Sequence, residues 1–238
     1  NNTPPTSTDY KLLPSISVKL SALHPRYEVA KKQRVMTELY QTMLTIIQKA
    51  RSLNVGITID AEEMDRLELS LELFEKLYQS DAVKGWGNLG LVVQAYSKRA
   101  LPVLVWLTAL AKQQGDLIPL RLVKGAYWDT EIKLAQQAGL AEYPVFTRKE
   151  ATDVSYLACA HFLFSDTAKG RIYPQFATHN AYTAATIVEL AGDDKEGFEF
   201  QCLHGMGDSL YDQIVSNEHI QCRIYAPVGK HEDLLPYL

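Results

Sequence analysis

Basic excess, paired cysteines and long apolar runs are all missing from this sequence. Lys and Arg number 24 against 28 Asp and Glu, a net charge of −4. That balance offers no basic surface to a phosphate backbone, so nucleic-acid binding is not expected of this segment. The three cysteines, Cys159, Cys202 and Cys222, are scattered and odd in number. They argue against a disulfide framework and for a reducing, cytoplasmic compartment. No run of 18 or more apolar residues occurs, and no charged-then-apolar leader precedes the first strand, so neither a membrane span nor a secretory signal is read. The six histidines form no His-x-His pair, and a nonmetal site is favoured. No Gly-x-Gly-x-x-Gly follows a predicted strand, which weakens a dinucleotide-fold reading.

What is present is an alternation of short apolar runs with amphipathic stretches. Residues 1–14 read as a linker or loop, and one barrel domain is expected over 15–238. Strands are predicted at 16–20, 55–60, 89–95, from 117, at 172–178, 198–203 and 223–228. After a loop over 21–27, a single long helix is expected, with Val29, Met36, Leu39, Met43, Ile46 and Ile47 close to a 3.6-residue period. Met64, Leu67, Leu71 and Phe74 mark the inward face of the next helix. Others are predicted at 102–111, 129–137, 150–164, 182–191 and 209–215, with a last turn over 232–238. Seven strand–helix repeats imply a parallel sheet. Lys19, Asp60, Gln94, Lys124, His179, His204 and Tyr225 fall at or just past strand ends, where a (β/α)₈ barrel assembles its active site. A full barrel needs one strand more.

The run from Leu117 to Asp129 anchors the functional reading. Arg121 interrupts an otherwise apolar strand, and a buried guanidinium is costly unless an electron-rich group receives it. Two readings stand: a salt bridge to a carboxylate on a neighbouring strand, or a strand that ends in a ligand site, with Gly125 letting backbone approach the ligand. The second is preferred. Lys19 and Asp60 read either as a structural ion pair or as a cation for a substrate carboxylate and an anion that orders the surrounding cations. Thr178-His179-Asn180 opens a helix, with Asn180 as N-cap, and the same group makes a seat for a diphosphate. Gly205-Met206-Gly207 is a turn or a close approach to ligand. Tyr127, Trp128, Tyr225 and Tyr237 either pack a barrel rim or wall off a flat cofactor. Convergence of Asp60, His179 and His204 would instead make a metal-dependent barrel hydrolase, and a non-catalytic barrel fragment is the third reading.

Residues 17–27, 121–129, 175–180, 198–207 and 222–229 carry long, unusual motifs, among them Arg-Leu-Val-Lys-Gly-Ala-Tyr-Trp-Asp and Cys-Arg-Ile-Tyr-Ala-Pro-Val-Gly. They closely resemble the proline dehydrogenase domain of bacterial bifunctional proline utilization A proteins. The resemblance implies a distorted, TIM-like (β/α)₈ barrel and FAD-dependent oxidation of L-proline to Δ1-pyrroline-5-carboxylate. Hydride passes to flavin N5, and electrons pass on to a membrane quinone, as the first step of proline catabolism to glutamate. By position it implies that Arg121 lies by N5 and Gln94 at the isoalloxazine edge. Val123, Lys124, Gly125, Trp128, Thr147, Thr178, His179 and Asn180 hold the rest of FAD, with Gln201 and Cys202 along the flavin. Lys19 binds the proline carboxylate and Asp60 orders the cations, so that Arg121, Lys19 and Asp60 form the catalytic set. Ala126, Tyr127, Leu203, Tyr225 and Tyr237 surround the pyrrolidine ring. No general base stands out. A fused aldehyde dehydrogenase module and peripheral contact with the inner membrane are implied for the intact protein. The family has a strand and helix before residue 15 and a helix with two arginines and a glutamate after Tyr237. The chain is therefore expected to be part of the domain, inactive alone or prone to form homo-oligomers through its open strand edge.

Overall fold

The computed structural model describes residues 13–229 of the chain. Tyr237, the turn expected over 232–238 and most of the 1–14 linker lie outside the described residues. Seven parallel strands follow one another in the sheet in chain order: β1 (Ser15–Val18), β2 (Gly56–Ile59), β3 (Leu89–Gln94), β4 (Ile118–Val123), β5 (Ile172–Ala177), β6 (Glu199–Leu203) and β7 (Cys222–Tyr225). Helices α1 (Leu20–Leu23), α2 (Lys32–Arg34) and α3 (Tyr40–Ser52) follow β1, and α4 (Leu67–Tyr78) follows β2. After β3 comes α5 (Ala100–Gln114), and after β4 come α6 (Trp128–Gln137) and α7 (Lys149–Leu163). α8 (Ala181–Ala191) and α9 (Asp208–Glu218) follow β5 and β6. Unskipped parallel strands with helical crossovers are the winding of a (β/α) barrel, so the expected α/β class holds.

The chain divides into two compact units, residues 1–174 and 175–238. In the first, β2 and β3 are buried at every position, as strands covered on both faces must be, and hence read as continuous apolar runs. Met43 and Ile47 of α3, Leu73, Phe74 and Leu77 of α4, and Leu104, Leu107 and Ala111 of α5 are all buried. Their spacing of three and four residues gives each helix one apolar stripe, and each fully buried Leu or Phe contributes about 1.5–3 kcal/mol. α5 stops at Gly115, whose φ of 71° is the left-handed C-cap conformation open to glycine. In the second unit the core is aromatic: Phe198 packs at 5.7 Å from both Phe176 and Phe200, and Tyr211 lies 6.0 Å from Phe200.

Three local expectations are corrected. The long helix is not one regular helix. A 3-10 turn (Val29–Lys31), α2 and a π-helical stretch (Val35–Leu39) precede α3, and Val29 is 54% exposed instead of facing the core. Thr37 and Thr42 donate their hydroxyls back to the carbonyls of Gln33 and Glu38, contacts that bend and loosen a helix. Secondly, β1 ends at Val18, and α1 begins at Leu20, within the strand expected over 16–20, and runs into the expected loop, so Lys19 is the helix N-cap residue in extended conformation. Likewise β7 ends at Tyr225, two residues before Pro227, which has no N–H to give a ladder.

Candidate active site

Alternation along β4 turns Leu120 and Leu122 to one face and Arg121 to the other. Arg121 is 8% exposed. Its Nη1 donates to Asp60 Oδ1 at 2.8 Å and its Nη2 to Ser17 Oγ at 2.7 Å. Asp60 is the first residue past β2, pinned by its own N–H to the Val18 carbonyl at 3.0 Å, and Ser17 is on β1. One guanidinium therefore ties the ends of three strands. The salt-bridge reading of Arg121 is realised, with a carboxylate from two strands away. A planar cation gripped on two nitrogens has a fixed orientation, which is also what a ligand-facing arginine needs.

Gln94, at the end of β3 and buried, spans two loops. Its Nε2 donates to the Glu62 carbonyl at 2.9 Å and its Oε1 accepts from Ala126 N–H at 3.1 Å. The loop of Lys124, Gly125 and Ala126 is thus held from one side by Gln94. On the other side, Lys124 pairs closely with Asp153 of α7, and Lys149 reaches the same carboxylate at 2.9 Å. Lys124 first and Lys149 second hold the Asp153 carboxyl below its ordinary range. Gly125 has φ of 146°, and a Cβ there would lie 2.3 Å from the Tyr96 ring. In the described structure its need for glycine comes from that backbone conformation and from Tyr96.

Burial raises the Tyr127 phenol above its ordinary range, with Lys19, hydrogen-bonded to it, working against the shift. Lys19 and Tyr127 are therefore neighbours, as a shared ligand would require. Trp128 opens α6 and is 41% exposed, its indole N–H donating to the Phe146 carbonyl at 2.9 Å. Thr147, the next residue, is exposed and Val123 is half-buried.

In the second unit, Asn180 caps α8, its Oδ1 accepting from Thr183 N–H at 2.9 Å. Thr178 Oγ1 accepts from Asn180 N–H at 3.1 Å, and the Thr178 carbonyl accepts from the Tyr211 hydroxyl. His179 Nε2 accepts from Leu203 N–H at 3.2 Å, so the strand ends of β5 and β6 are joined through an imidazole. Leu203 is 42% exposed, Cys202 is buried with its Sγ 3.7 Å from that of Cys222, and Tyr225 is half-buried. Burial, with Cys202 close by, raises the Cys222 thiol well above its ordinary range. Among the described residues, no group of three or more His, Cys, Asp or Glu is placed to hold a metal ion, and no helix is long and apolar enough to cross a membrane.

Sequence reasoning missed Ser17 as a partner of Arg121, and two buried acids. Glu131 of α6, 2% exposed, accepts from Met64 N–H at 2.7 Å and from the Tyr96 hydroxyl at 3.4 Å. Burial raises its carboxyl above the usual range. Glu199 of β6 is fully buried and receives Gln175, Gln201 and Arg223. The signal for Glu199 was available: an acid between two phenylalanines in a strand is as anomalous as Arg121 between two leucines.

A family model described as proline dehydrogenase matches residues 2–238. The chain belongs to the proline dehydrogenase family. It is 54% identical over 232 residues to the bifunctional protein PutA of Klebsiella aerogenes, and equally so to that of Escherichia coli K12. Each match covers 94% of this chain and 18% or 17% of the relative, so the chain spans under a fifth of the length of these curated relatives. A crystal structure of a variant of Bradyrhizobium japonicum proline utilization A matches with a TM-score of 0.89 at 53% identity, over 94% of this chain and 23% of that one. For a member of the proline dehydrogenase family, the Lys19–Tyr127 pair lies past the ends of β1 and β4, the side on which a (β/α) barrel places its chemistry, with the clamped Arg121 inside β4.

Proposed function

We propose that this chain carries out the FAD-dependent oxidation of L-proline to Δ1-pyrroline-5-carboxylate, passing the electrons to a membrane quinone. The observation that carries the reading is Arg121, buried within β4 and gripped by Asp60 and Ser17, in a chain matched along its length by the proline dehydrogenase family. The donor set suits an anionic, flat cofactor in kind. In the first unit it is a fixed guanidinium and the Lys124 ammonium, and in the second an eleven-residue helix with its N-terminus capped by Asn180. FAD bound there supplies a two-electron acceptor for hydride from the proline carbon next to nitrogen.

The chain's own residues do the rest. Arg121 presents a cation that needs no reorientation when negative charge develops beside it. Asp60 and Ser17 hold that cation. Gln94 fixes the loop of Lys124 to Ala126, and we assign Lys124, Gly125, Val123, Trp128, Thr147, Thr178, His179, Asn180, Gln201 and Cys202, with Gln94, to the cofactor. Lys19 takes the proline carboxylate, and we assign Ala126, Tyr127, Leu203, Tyr225 and Tyr237 to the substrate. A phenol raised by burial stays protonated, so Tyr127 is a hydrogen-bond donor to substrate and not the base that frees the amine. In the intact protein we infer a fused aldehyde dehydrogenase module, peripheral contact with the inner membrane at the quinone, and homo-oligomer formation.

The test is an absorbance spectrum of the full-length protein before and after anaerobic addition of L-proline. Flavin bands that bleach with proline are the expected outcome. Full-length protein with no flavin, or with flavin that proline leaves oxidised, would overturn the proposal.

A further inference from the structure

Glu62 lies past the end of β2, in the first compact unit, with a side chain only 7% exposed. Its Oε1 accepts from the backbone N–H of Ser21 at 3.0 Å, across 41 positions of sequence. Its Oε2 lies 3.3 Å from Arg66 Nη1, and its backbone carbonyl accepts from Gln94 Nε2 at 2.9 Å. One residue therefore joins the segments at the ends of β1, β2 and β3.

The bond to Ser21 answers a deficit that the sequence creates. α1 begins directly after Lys19, which holds the N-cap position in extended conformation with no side-chain cap hydrogen bond. The first N–H groups of a helix need an acceptor, and Ser, Thr, Asp or Asn at the N-cap would supply one. An ammonium has three donors and no acceptor, so a lysine there cannot cap. Glu62 supplies the missing acceptor from another strand end. The Lys19 side chain is directed elsewhere, to Tyr127 past the end of β4. Leu20, between Lys19 and Ser21, is fully buried, and the Ala22 N–H donates to the Lys19 carbonyl at 3.1 Å. Fixing Ser21 thus fixes the backbone from which the Lys19 side chain leaves. Glu62 also faces the pair itself. Burial is the largest influence on the Tyr127 phenol, Lys19 opposes it, and the Glu62 carboxylate comes next, raising it further.

We propose that Glu62 is a positioning residue for Lys19: its carboxylate takes over the capping that a lysine cannot provide, and so sets the direction from which the ammonium reaches Tyr127 and the substrate carboxylate. This rests on the reading of Lys19 as the contact to proline. It goes beyond that reading in assigning a role to an acid on a different strand end, which acts through the backbone of Ser21.

The experiment measures steady-state proline oxidation by the full-length protein, with flavin content and thermal unfolding alongside. In Glu62→Ala the half-saturating proline concentration is expected to rise roughly threefold to tenfold, less than on removing the ammonium itself. Turnover at saturating proline and flavin content should stay close to wild type, because the backbone carbonyl that holds Gln94 is kept. In Glu62→Gln the side-chain oxygen can still accept from Ser21, while Arg66 retains Glu63 at 3.2 Å. Half-saturation should then return toward the wild-type value. Combining Glu62→Ala with Lys19→Ala closes a cycle. The double variant should need no more proline than Lys19→Ala alone, since no ammonium is left to position, whereas a merely structural loss would add to it. If Glu62→Ala does not fold, Glu62→Asp decides. It keeps the charge beside Arg66 and withdraws the acceptor from Ser21 by one methylene, so half-saturation should rise in the same way. Wild-type half-saturation in the Ala or Asp variant, no recovery in Glu62→Gln, or a double variant that combines both single effects in full would overturn this inference alone. Wild-type half-saturation in Lys19→Ala would overturn the reading of Lys19 and this inference with it.

Discussion

A guanidinium survives inside a strand only where its charge is met, and Arg121 is met on two of its nitrogens by groups from β1 and the end of β2. Two outcomes follow for Arg121→Met. The Asp60 carboxylate, with a side chain only 13% exposed, loses the Arg121 contact, and breaking a buried pair from one side costs up to about 3–5 kcal/mol. Thermal unfolding should register that loss, and adding Asp60→Asn should recover much of it. Flavin retention, or the rate of flavin reduction by proline, should fall in both variants and not recover. Reduction kinetics like those of wild type would remove Arg121 from the cofactor. Lys19 makes a simpler case. Lys19→Ala takes away a charged contact to a carboxylate, and in full-length protein the proline concentration needed for half-maximal turnover should rise roughly tenfold or more. An unchanged value would take Lys19 out of the substrate site.

The strands and most helices were legible in the sequence, because a strand buried on both faces shows as an apolar run and a helix packed on one face shows a 3.6-residue stripe. Boundaries and interruptions were not. The expected helix after β1 is broken into a 3-10 turn, α2 and a π-helical stretch before α3, and nothing in hydrophobic spacing reports that. The loop after β4 shows the same limit in the candidate site. Arg121, Lys124 and Gly125 were legible as anomalies, but Tyr96, which decides what fits at Gly125, comes from the loop after β3. Gly125→Ala meets both a φ of 146° and a ring 2.3 Å from the new Cβ. The cost is expected at about 1–3 kcal/mol for the backbone alone, seen as a lower Tm together with weaker flavin retention. Tyr96→Ala in the same chain should relieve the contact but not the backbone strain, so the double variant should recover only part of the loss. Full recovery would mean that the backbone is not strained there.

Charge pairs at long sequence separation join the pieces of each unit, and this is the part of the molecule that local patterns could not show. Arg121 meets Asp60 across 61 positions and Lys124 meets Asp153 across 29. What a sequence shows is that a charge is out of place, not which partner receives it. pH reads these pairings for the molecule at large, since each carboxyl with a shifted pKa makes stability depend on protons. Arg34, with His24, lowers Glu38 to about 2, and Lys124, with Lys149, lowers Asp153. Groups lowered on folding stabilise above their unfolded range near pH 4, and that contribution disappears as pH falls through the folded value. Glu131 has the opposite sign. Its carboxyl is raised by burial, so it weighs against the fold above its unfolded range and the penalty is relieved on acidification. The net acid response is thus smaller than the count of ion pairs suggests, and a single profile cannot assign it. Comparing Asp153→Asn with wild type cancels Glu38 and Glu131. The gap in Tm between the two should be widest near pH 6 and close as pH falls below about 4. A gap that stays constant down to the lowest pH would mean that Asp153 supports the fold by shape alone, and that Lys124 is not held at the end of β4 by its charge.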